Sequence, residues 1–365
     1  MKKLPFIYFL PLLVFSLNMK GQARHEYLLL KGNVGSVQVT MHLYKSADRY
    51  SGHYYQEKSQ RPVEIYGIDS TMTGKIKMFA TYKGKKEIFS LDRIDKKFTG
   101  SMEIEGSGKA VQVILRPANA PLKLSYLYHE DSVKLLDLPS GYPLCKVVIS
   151  SHWPDIKTDE LDWLKEDIRE TFTGVNIYKE EMSLLAKMLT DRELNKYKKE
   201  YLNVSEKDLK ESPKSFSMDI KKELQVLYHT HKFISFFYKE YSFTGGAHGN
   251  TAGSFFTVDN ESRKKISLTG LFNRSAMEDL LPILEKWYLV EKGLRPGSNL
   301  KEAGLFEKNI TKNPSSCYVT DKGVGFLYNP YTIAPYSTGM IHIFVPYTDL
   351  TPLINKAFAK YMNWL

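Results

Sequence analysis

Only two cysteines, Cys145 and Cys317, occur in 365 residues. That excludes a disulfide framework and any CxxC pair for zinc or thiol redox chemistry. Also missing are an HExxH motif, a Gly-x-Ser-x-Gly elbow and a P-loop, the common signatures of zinc proteases, α/β hydrolases and nucleotide hydrolases. Beyond residue 23 no run reaches 18 consecutive apolar residues, so no membrane-spanning helix is expected there. No internal repeat and no low-complexity tract interrupts the chain, which argues against solenoid and propeller arrays.

What is present begins with a leader. Lys2 and Lys3 precede an apolar run, Leu4 to Leu17, broken only by Pro5, Pro11 and Ser16, and Gly21-Gln22-Ala23 fits a small-x-small cleavage site. Residues 1–23 therefore read as a secretory signal peptide, and the protein is expected to be exported, periplasmic or extracellular. No cysteine follows the run, so a lipid anchor at that point is not expected. An oxidising compartment makes a Cys145–Cys317 disulfide a candidate. Two buried free thiols are the alternative, since Cys145 lies in the strand-like run 144–149.

The formal charge is +10, but it is uneven. Residues 24–125 hold 17 Lys/Arg against 10 Asp/Glu, whereas residues 126–365 hold 31 of each. In an exported protein a basic N-terminal third points to an anionic envelope polymer or membrane surface rather than to nucleic acid. A merely solvated basic β surface accounts for the same charge. Tyrosine is abundant (24 residues, with 19 Phe), as in β-rich chains and in those that bind through exposed rings.

Periodicity sets the expected fold class, α+β. Residues 24–117 form successive short strands: in "GSVQVTMHLY" Val37, Val39 and Met41 alternate with Gln38, Thr40 and His42. Glycines recur between or within the strands at 52, 67, 74, 84, 100 and 106, and are read as turns. An antiparallel meander, a small barrel or a sandwich, follows. Residues 118–126, with Pro121, are the expected linker, and residues 127–365 a mixed domain with an antiparallel sheet packed by helices. There "TDELDWLKEDIRETF" is an amphipathic helix capped by Thr158, and residues 180–211 are helical. "FSMDIKKELQVLY" is a strand with one wet face, and "FISFFYKEYSF" a central strand. Ser275 and Glu278 make a capping box for a helix reaching Gly293, and Asn299 with Glu302 marks another helix. "GVGFLYNPY" and "MIHIFVPY" are late strands, and Thr351-Pro352 starts a terminal helix.

Two stretches attract a functional reading. "YSFTGGAHGN" places His248 in a glycine-rich link between strands. Its readings are a structural turn or a hydrolytic group assembled with Asp259 and Ser337. "YNPYTIAPYSTG", residues 328–339, joins two strands yet carries Tyr328, Tyr331 and Tyr336 with Pro330 and Pro335. Tyrosine offers contact area with few rotatable bonds and proline stiffens the free loop, the properties of a binding surface. Rings closing one end of the core are the competing reading. His229 and His231, at i and i+2, lack a carboxylate at ligand spacing, so neither a metal nor a cofactor is expected.

The succession "YSFTGGAHGN", "FTVD", "ISLTGLF" and "FLYNPYTIAPYSTGMIHIFVPYTDL" resembles the secreted domain of the RsiV-like kind. That domain is found at the extracytoplasmic end of lysozyme-sensing anti-sigma factors, and beside the catalytic domain of PdaC-type peptidoglycan deacetylases. The resemblance spans about residues 130–365. It implies a non-catalytic binding domain, and the leading expectation for its partner in an exported protein is an envelope glycan of the peptidoglycan type or a lysozyme-like protein. A cell-wall hydrolase or deacetylase centred on His248, and a structural envelope component joined through strand edges, remain the alternatives.

Overall fold

The computed structural model describes residues 25–69, 75–155, 159–273 and 276–364. The leader, Gly74, Thr158 and Ser275 lie outside them. Eight strands come first: β1 (His25–Val34), β2 (Val37–Ser46), β3 (Arg49–Gln56), β4 (Val63–Asp69), β5 (Ile76–Tyr82), β6 (Lys85–Ile94), β7 (Lys97–Ile104) and β8 (Ala110–Pro117). They pair antiparallel in chain order, and β1 meets β8 to close a barrel. Alternation fills its interior: Val39, Met41 and Leu43 of β2 point inward with Ile65, Phe89, Phe98 and Leu115. Gly52, Gly67 and Gly100, read from the sequence as turns, lie instead within β3, β4 and β7. At Gly52, φ is +145° and a Cβ would sit 1.9 Å from the His42 carbonyl, so β2 can lie this close to β3 only because no side chain intrudes.

The chain then forms β9 (Leu124–Lys134), which starts inside the expected linker, and β10 (Leu144–Pro154). Three helices follow, α1 (Asp162–Thr173), α2 (Met182–Glu200) and α3 (Glu206–Glu211), then β11 (Met218–His229), β12 (Phe233–Phe243), β13 (Asn250–Asp259) and β14 (Lys264–Ile266). The sheet runs β14-β13-β12-β11-β10-β9 and is antiparallel except for β10 beside β11. A parallel pair needs a long crossover, and here the crossover carries the three helices. Leu164, Ile168 and Phe172 of α1 and Leu185 and Leu189 of α2 pack on Val147, Ile149, Leu224 and Phe236. Lys222, the polar exception on that face of β11, pairs with Glu240 at 3.3 Å.

The last part holds α4 (Leu268–Leu271), α5 (Met277–Glu291), β15 (Ser316–Val319), β16 (Gly323–Tyr328), β17 (Ile341–Pro346), α6 (Tyr347–Leu350) and α7 (Lys356–Tyr361). Strands β15-β16-β17 form a second sheet between α5 and the large sheet, with Tyr318, Leu327 and Phe344 packed on Leu227 and Phe255. Two expected helix starts are corrected. Asn299 closes only a turn, its carbonyl accepting from the Ala303 N–H at 3.0 Å. The terminal helix begins at Lys356, with Asn355 accepting from the Phe358 N–H, rather than at Pro352. Ile354 bridges to Phe272 and the Asn355 N–H donates to Leu271, so that backbone is extended and cannot be helical.

The outer wall of the barrel docks on the face of the large sheet opposite α1 and α2, beside the second sheet, through a seam of buried rings. His42 stacks on His53 at 4.6 Å, and Tyr27 hydrogen-bonds His42 Nδ1 at 2.8 Å. Tyr44 Oη reaches His152 Nε2 at 2.9 Å while accepting the Val226 N–H at 3.0 Å. His53 Nε2 meets the Leu227 carbonyl at 2.9 Å. Burial holds these imidazoles neutral: His53 is pulled down to about 4 and His152 to about 3. A second tie is Arg61, whose Nε donates to Glu291 at the end of α5 at 3.0 Å.

Candidate functional site

The glycine-rich link joins β12 to β13. Gly245 has φ +81°, and a Cβ there would lie 1.8 Å from the Ser215 carbonyl, so both conformation and space demand glycine. Gly249 lies flat against the ring of Tyr241. These constraints turn His248 outward, where it is exposed. Its Nδ1 is 2.9 Å from the Gly249 carbonyl and its ring stacks on Tyr336 at 4.3 Å and 21°. Tyr336 in turn lies 5.6 Å from Tyr331, tilted by 30°, and donates its hydroxyl to the Gly249 carbonyl.

The 328–339 loop is pinned so that two of its tyrosines remain at the surface. Ile333 and Ala334 are buried, and Asn329 exchanges hydrogen bonds with both backbone groups of Gly253, at 2.8 and 3.1 Å. Pro335 is exposed and leads into a 3₁₀ turn, Tyr336–Thr338. Tyr331 is 58% exposed and holds φ +65°, a conformation that a bulky residue rarely keeps without a reason. Tyr328 is a correction: it ends β16 in the core beneath α5, with its hydroxyl donating to the Lys312 carbonyl at 2.9 Å. The outcome is a three-ring ladder, His248–Tyr336–Tyr331, with Pro335 beside it.

The residues proposed to join His248 in a hydrolytic group do not meet it. Asp259 ends β13, nine residues from Asn250, which places it roughly 30 Å from His248. It accepts instead from Tyr361 Oη and the Glu261 N–H, both at 2.9 Å. Ser337 is exposed in the loop, but no His248–Asp259–Ser337 group forms. His229 accepts the Leu122 N–H at 3.2 Å and is pulled down to about 4 by burial, while His231 is exposed. Among the described residues no three His, Cys, Asp or Glu side chains gather at metal-binding distance. The candidate disulfide does not form and the alternative of two buried free thiols holds: Cys145 and Cys317 are unpaired, in separate cores on opposite sides of the large sheet.

One concavity was not legible in the sequence. A cleft of about 860 Å³ opens between the barrel wall and the large sheet, beside the His/Tyr seam. Its walls come from nine different strands. The only local signals were the wet face of β11, which supplies Lys221 and Glu223, and the basic excess of residues 24–125.

Known proteins resemble the second part of the chain. Residues 146–251 match the family described as deacetylase PdaC, and residues 270–348 match a family described as a protein of unknown function, DUF3298. A crystal structure of a DUF3298 member from Bacteroides fragilis is similar with a TM-score of 0.57 at 19% identity, covering 67% of this chain and 99% of that one. A DUF3298 protein from Pseudomonas aeruginosa gives a TM-score of 0.45 at 20% identity, over 65% of this chain and 95% of that one. No curated protein gives a match. The mixed domain is therefore similar to a domain of unknown function of the DUF3298 and PdaC kind, and the barrel lies outside both matched segments.

Proposed function

We propose that this protein is an exported, non-enzymatic binding protein of the bacterial cell envelope that holds a peptidoglycan-type glycan against the Tyr331–Tyr336–His248 ladder. The observation that carries the reading is the ladder itself. The exposed rings of Tyr331 and His248 flank the half-buried Tyr336, which stacks on His248 at 4.3 Å and lies tilted 5.6 Å from Tyr331, so the outer rings offer apolar faces of the kind that sugar rings stack on. Among the described residues His248 hydrogen-bonds a backbone carbonyl, that of Gly249, rather than a carboxylate, which favours a binding role over that of a triad base. The likeness of residues 146–251 to a domain described as a deacetylase points to the same class of partner, a cell-wall polymer or a protein that acts on one.

The test is binding of purified peptidoglycan to the wild-type protein and to Tyr331→Ala, with release of soluble products and of acetate measured in parallel. Sedimentation with the glycan, weakened roughly tenfold in the variant at unchanged melting temperature, supports the reading. Turnover lost on His248→Ala would replace it with the hydrolase or deacetylase alternative. Capture of a lysozyme-like protein with no affinity for the glycan would move the ligand from sugar to protein.

A further inference from the structure

The cleft between barrel and sheet is separate from the ladder, and its walls differ in chemistry from the buried seam next to it. We propose that it is a second binding site, for an acidic polysaccharide whose sugar rings lie on tyrosines while its anionic groups meet Arg49 and Lys239. Five cations and one carboxylate, Glu223, line it. Three of the cations are already engaged: Lys45 with Asp69 at 3.4 Å, Lys146 with Glu130 at 2.8 Å and Lys221 with Asp219 at 3.2 Å. Arg49 on the barrel wall and Lys239 on the sheet wall make no ion pair among the described residues. Two such cations on facing walls suit anionic groups carried on one chain passing between them, and Arg49 offers the planar fork that takes carboxylate or phosphate with two parallel bonds.

The apolar part of the lining argues for a sugar rather than a lipid or an acidic peptide. Tyr66 is 59% exposed and lies 5.9 Å from Phe79, so one wall presents a pair of rings to solvent. On the other wall Tyr241 carries Lys221 5.4 Å above its ring, which joins a stacking face to a positive charge. Alternating flat faces and charges match a polymer of acidic sugars. A recessed cleft does not offer the convex apolar surface that inserts into a bilayer. The excess basicity of residues 24–125 adds a long-range field that draws such a polymer toward the cleft.

The position of Tyr241 has a further consequence. Its ring backs Gly249, whose carbonyl accepts from Tyr336 in the ladder, so both surfaces rest on one strand end. A glycan bound at one is therefore near the other, but each has its own residues and its own test.

That test compares polygalacturonate with a neutral galactan of similar length, using the purified protein, its Arg49→Ala/Lys239→Ala double variant and Tyr331→Ala. The expected result is preferential binding of polygalacturonate, weakened roughly tenfold or more in the double variant and by raising the salt to about 0.15 M. Because both replaced side chains are free of ion pairs, the melting temperature should not move. Tyr331→Ala should retain polygalacturonate binding while losing peptidoglycan, which separates this site from the ladder. Equal affinity for the neutral galactan, or unchanged binding by the double variant, would overturn the inference. Binding of polyglutamate or of anionic phospholipid vesicles as strongly as the uronic acid polymer would overturn it as well, since either result makes charge alone the determinant.

Discussion

At the scale of single residues, two adjacent glycines give opposite predictions. Gly245→Ala places a methyl group 1.8 Å from a backbone carbonyl at φ +81°, whereas nothing lies within 4 Å of a Cβ on Gly246. The first variant should lose roughly 2 kcal/mol or more in urea unfolding and the second should change little. Equal midpoints for the two would show that the link is not fixed at Gly245. Tyr331 supplies a second prediction, because its positive φ opposes the fold while its side chain is exposed. Tyr331→Gly removes that backbone strain, worth about 1 kcal/mol, and should melt no lower than wild type while glycan binding falls. His248→Ala removes a stacking partner of Tyr336 and one local hydrogen bond, and should cost about 1 kcal/mol.

Between elements, the tie most exposed to test joins the barrel to α5. Glu291 ends that helix and is nearly enclosed; burial raises its carboxyl, while Arg61 and the Phe344 N–H, at 3.0 and 3.1 Å, pull it back down. Glu291→Ala leaves the buried Arg61 guanidinium without its counter-charge and should destabilise by roughly 3–5 kcal/mol, read as a lower urea midpoint. Arg61→Met/Glu291→Leu, which removes both charges, should cost much less. If the double variant is as unstable as the single one, packing rather than charge makes the tie.

For the whole molecule, acid should loosen the barrel from the sheet. The folded protein keeps His53 and His152 neutral with values of about 4 and about 3, against roughly 6.5 in an unfolded chain. Above about pH 6.5 both states are neutral and stability is at its plateau. As pH falls the unfolded chain binds protons that the folded one refuses, so stability declines until about pH 4 for His53 and about pH 3 for His152. For His53 alone that loss is on the order of 3 kcal/mol. His42, stacked on His53 and itself held well below its ordinary value by burial and by that neighbour, acts in the same direction. Melting temperatures measured from pH 7.5 to 4 should fall steadily, and proteolysis between Pro117 and Leu124 should quicken in step. A flat profile over that range would mean the seam stays docked when its histidines are charged.

Local pattern determined much of this protein. The alternation of Val39 and Met41 with Thr40 and His42, and the run from Met218 to Tyr228, specified strands because side chains on a pleated chain alternate between two faces, although Phe216, also read into that strand, closes a 3₁₀ turn. Leu164, Ile168 and Phe172 specified α1 for the corresponding helical reason. The glycine-rich link was legible as a turn, whereas for Tyr331 and Tyr336 the sequence left a binding surface and a core closure both open, and the fold exposes Tyr331 and half-buries Tyr336. Tyr328 was misread because it is the last residue of β16, a strand buried on both faces, rather than part of the loop that follows. Which outward faces stay wet is a property of docking. His42 and Tyr44 sit on the polar side of β2, yet the large sheet covers them. The closure of β1 on β8, the stacking of His248 on Tyr336 across 88 residues and a cleft walled by nine strands all depend on contacts between distant segments. Such contacts follow from how preformed faces bury one another, a free-energy balance over the whole chain that no local spacing encodes.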